Sequence, residues 1–350
     1  TVPGQFDGCS KLETIEIPDS VTSIGESSFA GCITLKTLSL PASLRSIGNA
    51  AFSGCSSLTS SVNQSALQLP SGVSSIGNEA FKNCTSIKAV SLPSSLQSIG
   101  NSAFDGCSGI TKLLIPSSVK TIGALAYANC TSLGVSGSPD DVVIPSSVTE
   151  IGANAFAKCP ITGITLGTIV AIPPGVNRST ILSVKVLKEA SRTAIPQNQF
   201  ADCAKLETVE LPDTITSIGD LAFARCSSLG KKSLSLPDSI AVIGNSAFLA
   251  CSMLKTLELP STLKTIGKSA FAKTSLATVE LPSNLTSVGA AAFDSCTTLT
   301  TLTIPSSVIQ IGVDAFKGCP IKRLNIGAAL SANKTASNIP LTAVSDLEIL

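Results

Sequence analysis

Apolar and polar residues alternate in short segments that recur along the chain. Between Leu12 and Cys32 the order is L-x-x-I-x-I, proline, S-V-x-x-I-G, and a phenylalanine followed three residues later by cysteine. The same order returns between Leu35 and Cys55, a step of 23 residues. Alternation that ends at proline predicts a short β-strand, and S-V-x-x-I-G predicts a second extended piece. The small residues around the phenylalanine predict a single helical turn.

The repeat continues with little interruption. Eleven prolines in this frame are each followed seven residues later by glycine, and all steps but one are 22 to 29 residues. The exception, from Pro145 to Pro212, is 67 residues long and accommodates two degenerate copies at about 160–200. One copy cannot bury its apolar residues alone, whereas stacked copies form a continuous core. The pattern therefore predicts a solenoid of parallel strands with a period of about 23 residues and about 14 rungs, one copy making one rung. The repeated glycine, such as Gly25, is expected at a turn with positive φ.

The aromatic and cysteine residues each keep to one slot of the repeat. All twelve phenylalanines and the single tyrosine share one slot, and all twelve cysteines lie three residues after it. This regularity predicts buried ladders and leaves no aromatic side chain for stacking on a ligand. Cysteines on neighbouring rungs have parallel Cβ vectors about 5 Å apart, wider than the ~3.8 Å of a disulfide, so buried free thiols are predicted. Single cysteines in a line do not converge on a metal ion.

Composition excludes several classes of function. The chain has 24 basic and 23 acidic residues, a net charge of +1 and no histidine. The charge balance argues against a nucleic-acid partner, and the absence of imidazole excludes Ser-His-Asp triads and histidine metal sites. The most apolar stretch, about 161–176, is interrupted by glycine and proline, so no membrane-spanning segment is expected. No cofactor is expected, and any signal peptide is expected to have been removed or to lie outside this sequence.

The frame L-x-x-I-x-I-P-x-S-V-x-x-I-G-x-x-A-F-x-x-C resembles the BspA-like, or treponemal-type, leucine-rich repeat family of surface proteins. The resemblance extends from Val2 to about Gly327. It implies an α/β solenoid, a right-handed leucine-rich repeat superhelix, from a secreted or surface-anchored protein with a role in attachment and with no catalytic residues. The expected domains are one solenoid at 1–327, with degenerate repeats at about 160–200, and a C-terminal cap or tail at 328–350.

One part of the predicted strand surface departs from the usual threonine, serine and glutamate. The outward slots four and two residues before proline hold Lys112 and Leu114 in one copy, and Asp141 and Val143 in the next. Leu114 and Val143 are predicted to be adjacent exposed apolar residues, and such patches mark contact sites. An insertion of six residues within 134–141 comes just before the strand of Val143 and is predicted to project beside it. These residues form the first candidate binding surface.

An acidic edge forms the second candidate surface. Glu210, Glu258 and Glu280 all occupy the slot two residues before proline. Glu258 and Glu280 are expected on adjacent rungs about 5 Å apart, a spacing similar to the carboxylate pair of a retaining glycosidase. Because a flat open sheet provides no pocket, a solvated acidic edge is the favoured interpretation.

The sequence favours a non-catalytic adhesion module, extracellular or at the cell surface, that binds an extracellular-matrix or cell-surface protein. One alternative is a carbohydrate-binding or carbohydrate-active solenoid, which would need a cleft and a free aromatic side chain. The other is a passive spacer or ice-binding rod, which would show an uninterrupted threonine array. The corresponding column here is broken by Ala89, Lys112, Asp141 and Ser233.

Overall fold

The computed structural model describes residues 1–2, 4–61, 66–167, 171–188, 193–327 and 344–349. The chain is a parallel-strand β-solenoid of about 13 turns with a period of about 23 residues, which confirms the predicted fold class. It divides into two compact units, Thr1–Asn177 and Arg178–Leu350. The single domain expected over 1–327 stays a prediction.

Most rungs contribute one strand to each of two walls. The pre-proline wall is the stack of segments that immediately precede the repeat prolines, and the Ser-Ile wall is the stack of segments that precede the repeat glycines. In the first unit the pre-proline wall contains β1 Thr14–Glu16, β3 Thr37–Ser39, β5 Ser60–Ser61, β6 Leu67–Gln68, β8 Val90–Ser91, β10 Leu113–Leu114, β12 Val142–Ile144 and β14 Gly163–Leu166. Its Ser-Ile wall contains β2 Ser23–Ile24, β4 Ser46–Ile47, β7 Ser75–Ile76, β9 Ser98–Ile99, β11 Thr121–Ile122 and β13 Glu150–Ile151.

The second unit has the same two walls. Its pre-proline wall contains β15 Ser183–Val186, β17 Thr208–Glu210, β21 Thr278–Glu280, β23 Thr301–Ile304, β25 Arg323–Ile326 and β26 Asp346–Ile349. Its Ser-Ile wall contains β16 Ala194–Ile195, β18 Ser217–Ile218, β19 Val242–Ile243, β20 Thr265–Ile266, β22 Ser287–Val288 and β24 Gln310–Ile311. Two short 3-10 helices, Pro139–Asp141 and Arg178–Thr180, complete the elements found in the described ranges.

Equivalent residues of neighbouring rungs lie opposite one another. In the pre-proline wall Ile15 pairs with Leu38, and in the Ser-Ile wall Ile24 pairs with Ile47, both in parallel. Because the register repeats, each apolar slot becomes a continuous column inside the solenoid. The described part of the C-terminal tail continues this order, since β26 pairs with β25 and places Leu347 opposite Leu324. The tail residues 328–343 and 350 lie outside the described residues.

The predicted helical turn around each phenylalanine is wrong. The backbone N–H groups of Ser27, Phe29 and Gly31 donate to carbonyls of the next rung at 2.8, 2.8 and 2.7 Å. These donors are directed to a neighbouring rung, so they cannot form hydrogen bonds along a helix. Ser27 has a φ of 51° and Gly31 a φ of 67°, which bends the chain through successive turns. A third ladder of backbone hydrogen bonds therefore stands where helices were expected.

The repeated glycine is required by close packing and not by positive φ. Gly25 and Gly48 are absent from the glycines with positive φ. A Cβ atom built on Gly48 would lie 2.7 Å from the carbonyl carbon of Gly25, closer than Cβ contacts occur. The same crowding recurs between Gly48 and Gly77, at 2.6 Å. The expectation of a left-handed turn at this slot is therefore wrong, and stacking of backbone on backbone explains the glycine.

The aromatic and cysteine ladders lie inside the solenoid as predicted. Neighbouring rings in the first unit stack with centroids 5.2 to 5.6 Å apart. In the second unit the spacing is 5.3 Å throughout. The thiols are free; Cys9 is half-buried and the other eleven are buried. Most donate to the carbonyl of the aromatic residue one rung back, as Cys55 Sγ does to Phe29 O at 3.1 Å. Burial raises the pKa of Cys55 to about 12.

Arg178 occupies a special place in the degenerate stretch at about 160–200. In regular rungs, carbonyls such as those of Ser28 and Ala30 accept backbone N–H groups from the preceding rung, at 3.1 and 2.6 Å. The equivalent carbonyls of Gln199 and Ala201 instead accept the guanidinium of Arg178, at 3.0 and 3.1 Å. A single side chain thus supplies donors that a backbone rung provides elsewhere.

Candidate functional site

The predicted apolar pair lies on the outer face of two paired strands. β10 and β12 are parallel, with Leu113 opposite Val142 and Leu114 opposite Val143. The alternation of a strand turns Leu113 and Val142 into the core, where they are 4% and 0% exposed. Leu114 faces outward and is 60% exposed, and Val143 is half-buried. The structure therefore places the two residues side by side, with Leu114 the more accessible.

Asp141 does not belong to this outer surface. Its side chain is only 3% exposed, with Lys112 Nζ 3.5 Å from its Oδ1 atom. The hydroxyl of Ser136 donates to its Oδ2 atom. The 3-10 turn Pro139–Asp141 carries the carboxylate beneath the insertion loop, where it anchors the loop. The predicted outward position of Asp141 is therefore wrong, whereas Lys112 does lie on the surface, 64% exposed.

The insertion loop at 134–141 covers part of the neighbouring strand. The hydroxyl of Thr165 on β14 donates to the carbonyl of Pro139 at 2.9 Å, and Thr165 is only 1% exposed. The loop therefore closes the outward slot of β14. Val135 on the same loop is 56% exposed. The sequence reasoning missed Val135, although an apolar residue within a glycine- and serine-rich insertion is a usable signal.

The acidic edge is partly paired. Glu210 is exposed and lies 3.7 Å from Lys185 Nζ, on the neighbouring strand β15. Glu258 and Glu280 are exposed, and within the described residues neither has an ion-pair partner within 4 Å. All three carboxylates are exposed, and Glu210 is also ion-paired.

The wall between β17 and β21 differs from the predicted flat sheet. Two successive segments there, Ser233–Leu236 and Thr256–Leu259, form no strand; they are called the open rungs below. Across the described residues, their backbone groups make no hydrogen bond to a neighbouring rung. By contrast, Leu281 N donates to Thr303 O at 3.1 Å in the paired part of this wall.

Clefts occupy the places where strand pairing is missing. One cleft of ≈ 540 Å³ lies between the two open rungs, and a second of ≈ 540 Å³ lies between Thr256–Leu259 and β21. Glu258 lines both clefts, and Glu280 lines the second. The expectation that this edge offers no pocket is wrong. The two extra residues Lys231 and Lys232 precede the first open rung, and both lie within 4 Å of Glu207. The second open rung has an ordinary repeat sequence with no insertion before it.

The two candidate surfaces lie apart from any metal-ligating cluster or exposed aromatic group of the described residues other than Phe6. Among the described residues no group of three or more metal-ligating side chains is found. The aromatic rings are buried except Phe6, which is 40% exposed and stacks on Phe29 at 5.4 Å. Within the described ranges, no helix has the length and apolar character needed to cross a lipid bilayer.

The fold defines a leucine-rich repeat solenoid, and the comparisons give its family. The family model for the BspA type leucine rich repeat region matches residues 3–65, 59–180 and 230–337, in six copies. The chain belongs to this family. A search of curated proteins gave no match.

Several solved structures are similar to the chain. A leucine-rich repeat protein from Bacteroides ovatus is 24% identical, with 99% of this chain and 85% of that chain covered and a TM-score of 0.41. A leucine rich cell surface protein from Faecalibacterium prausnitzii is 25% identical over 97% of this chain and 79% of that chain, with a TM-score of 0.38. The pneumococcal vaccine antigen PcpA is 20% identical, with 97% and 79% covered and a TM-score of 0.40.

Proposed function

We propose that this chain is a non-catalytic module that binds a protein at a cell surface or outside the cell. The observation that carries the proposal is Leu114, which is 60% exposed beside Val143 on paired strands next to a projecting loop. An apolar side chain held outward on a rigid wall favours contact with a partner. Membership of a repeat family whose use is its extended surface supports the same conclusion. The proposed partner is an extracellular-matrix or cell-surface protein.

The expected affinity of a single site is modest. Burying Leu114 and Val143 would contribute less than about 3–6 kcal/mol, because each aliphatic side chain adds roughly 1.5–3 kcal/mol when it passes from full exposure to full burial and both are already partly buried. Loss of translational and rotational freedom offsets part of this gain. Firm attachment of a cell would therefore use several contacts or several copies of the protein.

The experiment is a pull-down of soluble extracellular-matrix proteins with the purified chain, followed by affinity measurement for the captured partner. We expect Leu114→Ser to weaken binding about tenfold while changing the free energy of unfolding by about 0.5 kcal/mol or less. Val313→Ser is the matched control, since Val313 is an apolar residue 67% exposed on another rung. That control should bind as the parent does.

Two outcomes would contradict the assignment of the surface. A marked loss of stability in Leu114→Ser would mean that Leu114 contributes to the core. Unchanged binding would move the contact to the acidic edge at Glu210, Glu258 and Glu280 or off the strand wall.

A further inference from the structure

We propose that the two clefts on either side of the second open rung bind an extended segment of a protein partner that carries lysine or arginine at alternate positions. The inference rests on the proposed protein-binding function, and it assigns a second surface with a defined partner chemistry. Four features of the second unit support it: unpaired backbone groups, accessible leucines, unpaired carboxylates and a regularly packed core.

The backbone groups of the open rungs are available for pairing. Within the described residues, neither Ser233–Leu236 nor Thr256–Leu259 forms the ladder hydrogen bonds that Leu281 and Thr303 form in the same wall, at 3.1 Å. Unpaired N–H and C=O groups along an extended segment are a template for an added strand. Main-chain hydrogen bonds of this kind provide affinity with little dependence on the partner's sequence.

The second open rung also exposes leucine side chains whose counterparts on the paired strand β23 are buried. Leu257 and Leu259 are half-buried, whereas their counterparts Leu302 and Ile304 on β23 are 0% exposed. An extended peptide directs alternate side chains to opposite faces. One set of its side chains would therefore cover these leucines while its main chain pairs with the open rung.

The negative charge of the clefts favours a partner with positively charged side chains. Asp238, Glu258 and Glu280 line the clefts, and no lysine or arginine lines either one. Across the described residues these three carboxylates lack ion pairs, whereas the nearby Asp213 pairs with Lys188 at 2.8 Å. A segment that brings ammonium or guanidinium groups to the clefts would complete pairs that the chain does not supply.

The core of the open rungs keeps its regular packing. The rings of Phe223, Phe248 and Phe271 keep the spacing of 5.3 Å. Val242 on β19 remains paired with Thr265 on β20 in the Ser-Ile wall. The opening is therefore confined to the pre-proline wall.

The test uses the full chain and a fluorescent capped peptide of alternating lysine and valine, with binding followed by anisotropy. One comparison peptide carries glutamate in place of lysine, and another carries N-methyl groups on the backbone. We expect the lysine peptide alone to bind, and the double variant Glu258→Gln, Glu280→Gln to weaken its binding about five- to tenfold. Glu16→Gln is the matched control, because Glu16 holds the same slot on β1, whose rung is paired with β3. Its affinity should match the parent.

The proposal fails if the lysine peptide does not bind into the millimolar range, or if the N-methylated peptide binds equally well. It also fails if Glu16→Gln weakens binding as much as the double variant, since the effect would then be general charge attraction. Leu114→Ser separates the two surfaces: it should leave peptide binding unchanged while weakening capture of the matrix partner. Failure at one surface is thereby distinguished from failure at the other.

Discussion

The pre-proline wall is paired between Leu114 and Val143 in the first unit and open around Glu258 in the second, although the same repeat builds both regions. At the paired site Ile115 N donates to Val143 O at 3.0 Å, and the insertion loop covers the next strand. At the open site Thr256–Leu259 makes no such bonds and clefts replace them. The two regions therefore present different surfaces: an apolar outer face in one and acidic clefts in the other.

The comparison also indicates what holds the rungs together. Both regions keep the aromatic stack, with ring spacings of 5.3 Å between Phe81 and Phe104 and between Phe248 and Phe271. Both keep the Ser-Ile wall in register, at Thr121 opposite Ser98 and at Val242 opposite Thr265. The pre-proline wall opens without disturbing either of these. We conclude that the inner ladders and the Ser-Ile wall maintain the solenoid, which leaves the pre-proline wall free to vary.

The largest expected effect comes from removing the ring of the first open rung, Phe248. Phe248→Ala should cost about 3–5 kcal/mol of unfolding free energy, because a large buried side chain is lost and a cavity remains. Phe104→Ala is the comparison in the paired region, and denaturant unfolding measures both. We expect Phe248→Ala to cost at least as much as Phe104→Ala. A much smaller cost at Phe248 would contradict the view that the ladder holds the open region.

The next largest effect is a loss of stability at alkaline pH, caused by ionisation of the buried cysteines. Burial raises the pKa of Cys107 and of Cys251 to about 12, from a reference value of 9.0. The folded state favours the neutral thiol, so this stabilisation is complete below pH 9 and is lost as the pH rises towards about 12. The contribution of each thiol to the free energy of unfolding should fall by about 1.4 kcal/mol by pH 10, since one pKa unit corresponds to about 1.36 kcal/mol.

Unfolding measured as a function of pH tests this, with Cys107→Ala and Cys251→Ala as variants that each remove one such contribution. The two thiols should behave alike, because the opening of the wall does not reach the ladder. Earlier ionisation of Cys251 than of Cys107 would show that solvent enters the core beneath the open rungs.

A smaller effect of opposite sign is expected at Tyr127. Its hydroxyl is buried and, in the described part of the chain, has no hydrogen-bond partner. The other residues in this slot are phenylalanines, so Tyr127→Phe removes an unsatisfied group without leaving a large cavity. We expect a gain of about 1 kcal/mol in unfolding free energy. A loss of stability in denaturant unfolding would show that the hydroxyl is satisfied in solution.

The sequence predicts the parts of the fold that every rung shares. The spacing of Phe29 and Cys32 identified the inner ladders, and alternation around Leu114 and Val143 placed both on neighbouring strands. Whether a side chain faces outward was harder to predict where its own contacts decide the direction. Asp141 sits in an outward slot by count, yet its contacts with Ser136 and Lys112 hold it inside.

Features that depend on the relation between rungs could not be predicted from the period. The segment at Thr256–Leu259 has an ordinary repeat sequence, so its missing ladder bonds leave no mark in the residue pattern. The role of Arg178 was equally hidden, because its acceptors Gln199 and Ala201 lie more than twenty residues away in sequence. The open segment and the role of Arg178 both depend on hydrogen bonds between rungs, which the residue order within one copy does not reveal.

Amide hydrogen exchange of the free chain tests the central claim most directly. The account predicts rapid exchange at Leu236 and Leu259, whose N–H groups have no partner among the described residues, and slow exchange at Leu281 and Phe248, which donate at 3.1 and 2.8 Å. The difference should be at least about tenfold, since protection follows backbone hydrogen bonding and local stability. Protection of Leu259 equal to that of Leu281 would contradict the account, because the pre-proline wall would then be closed along both regions.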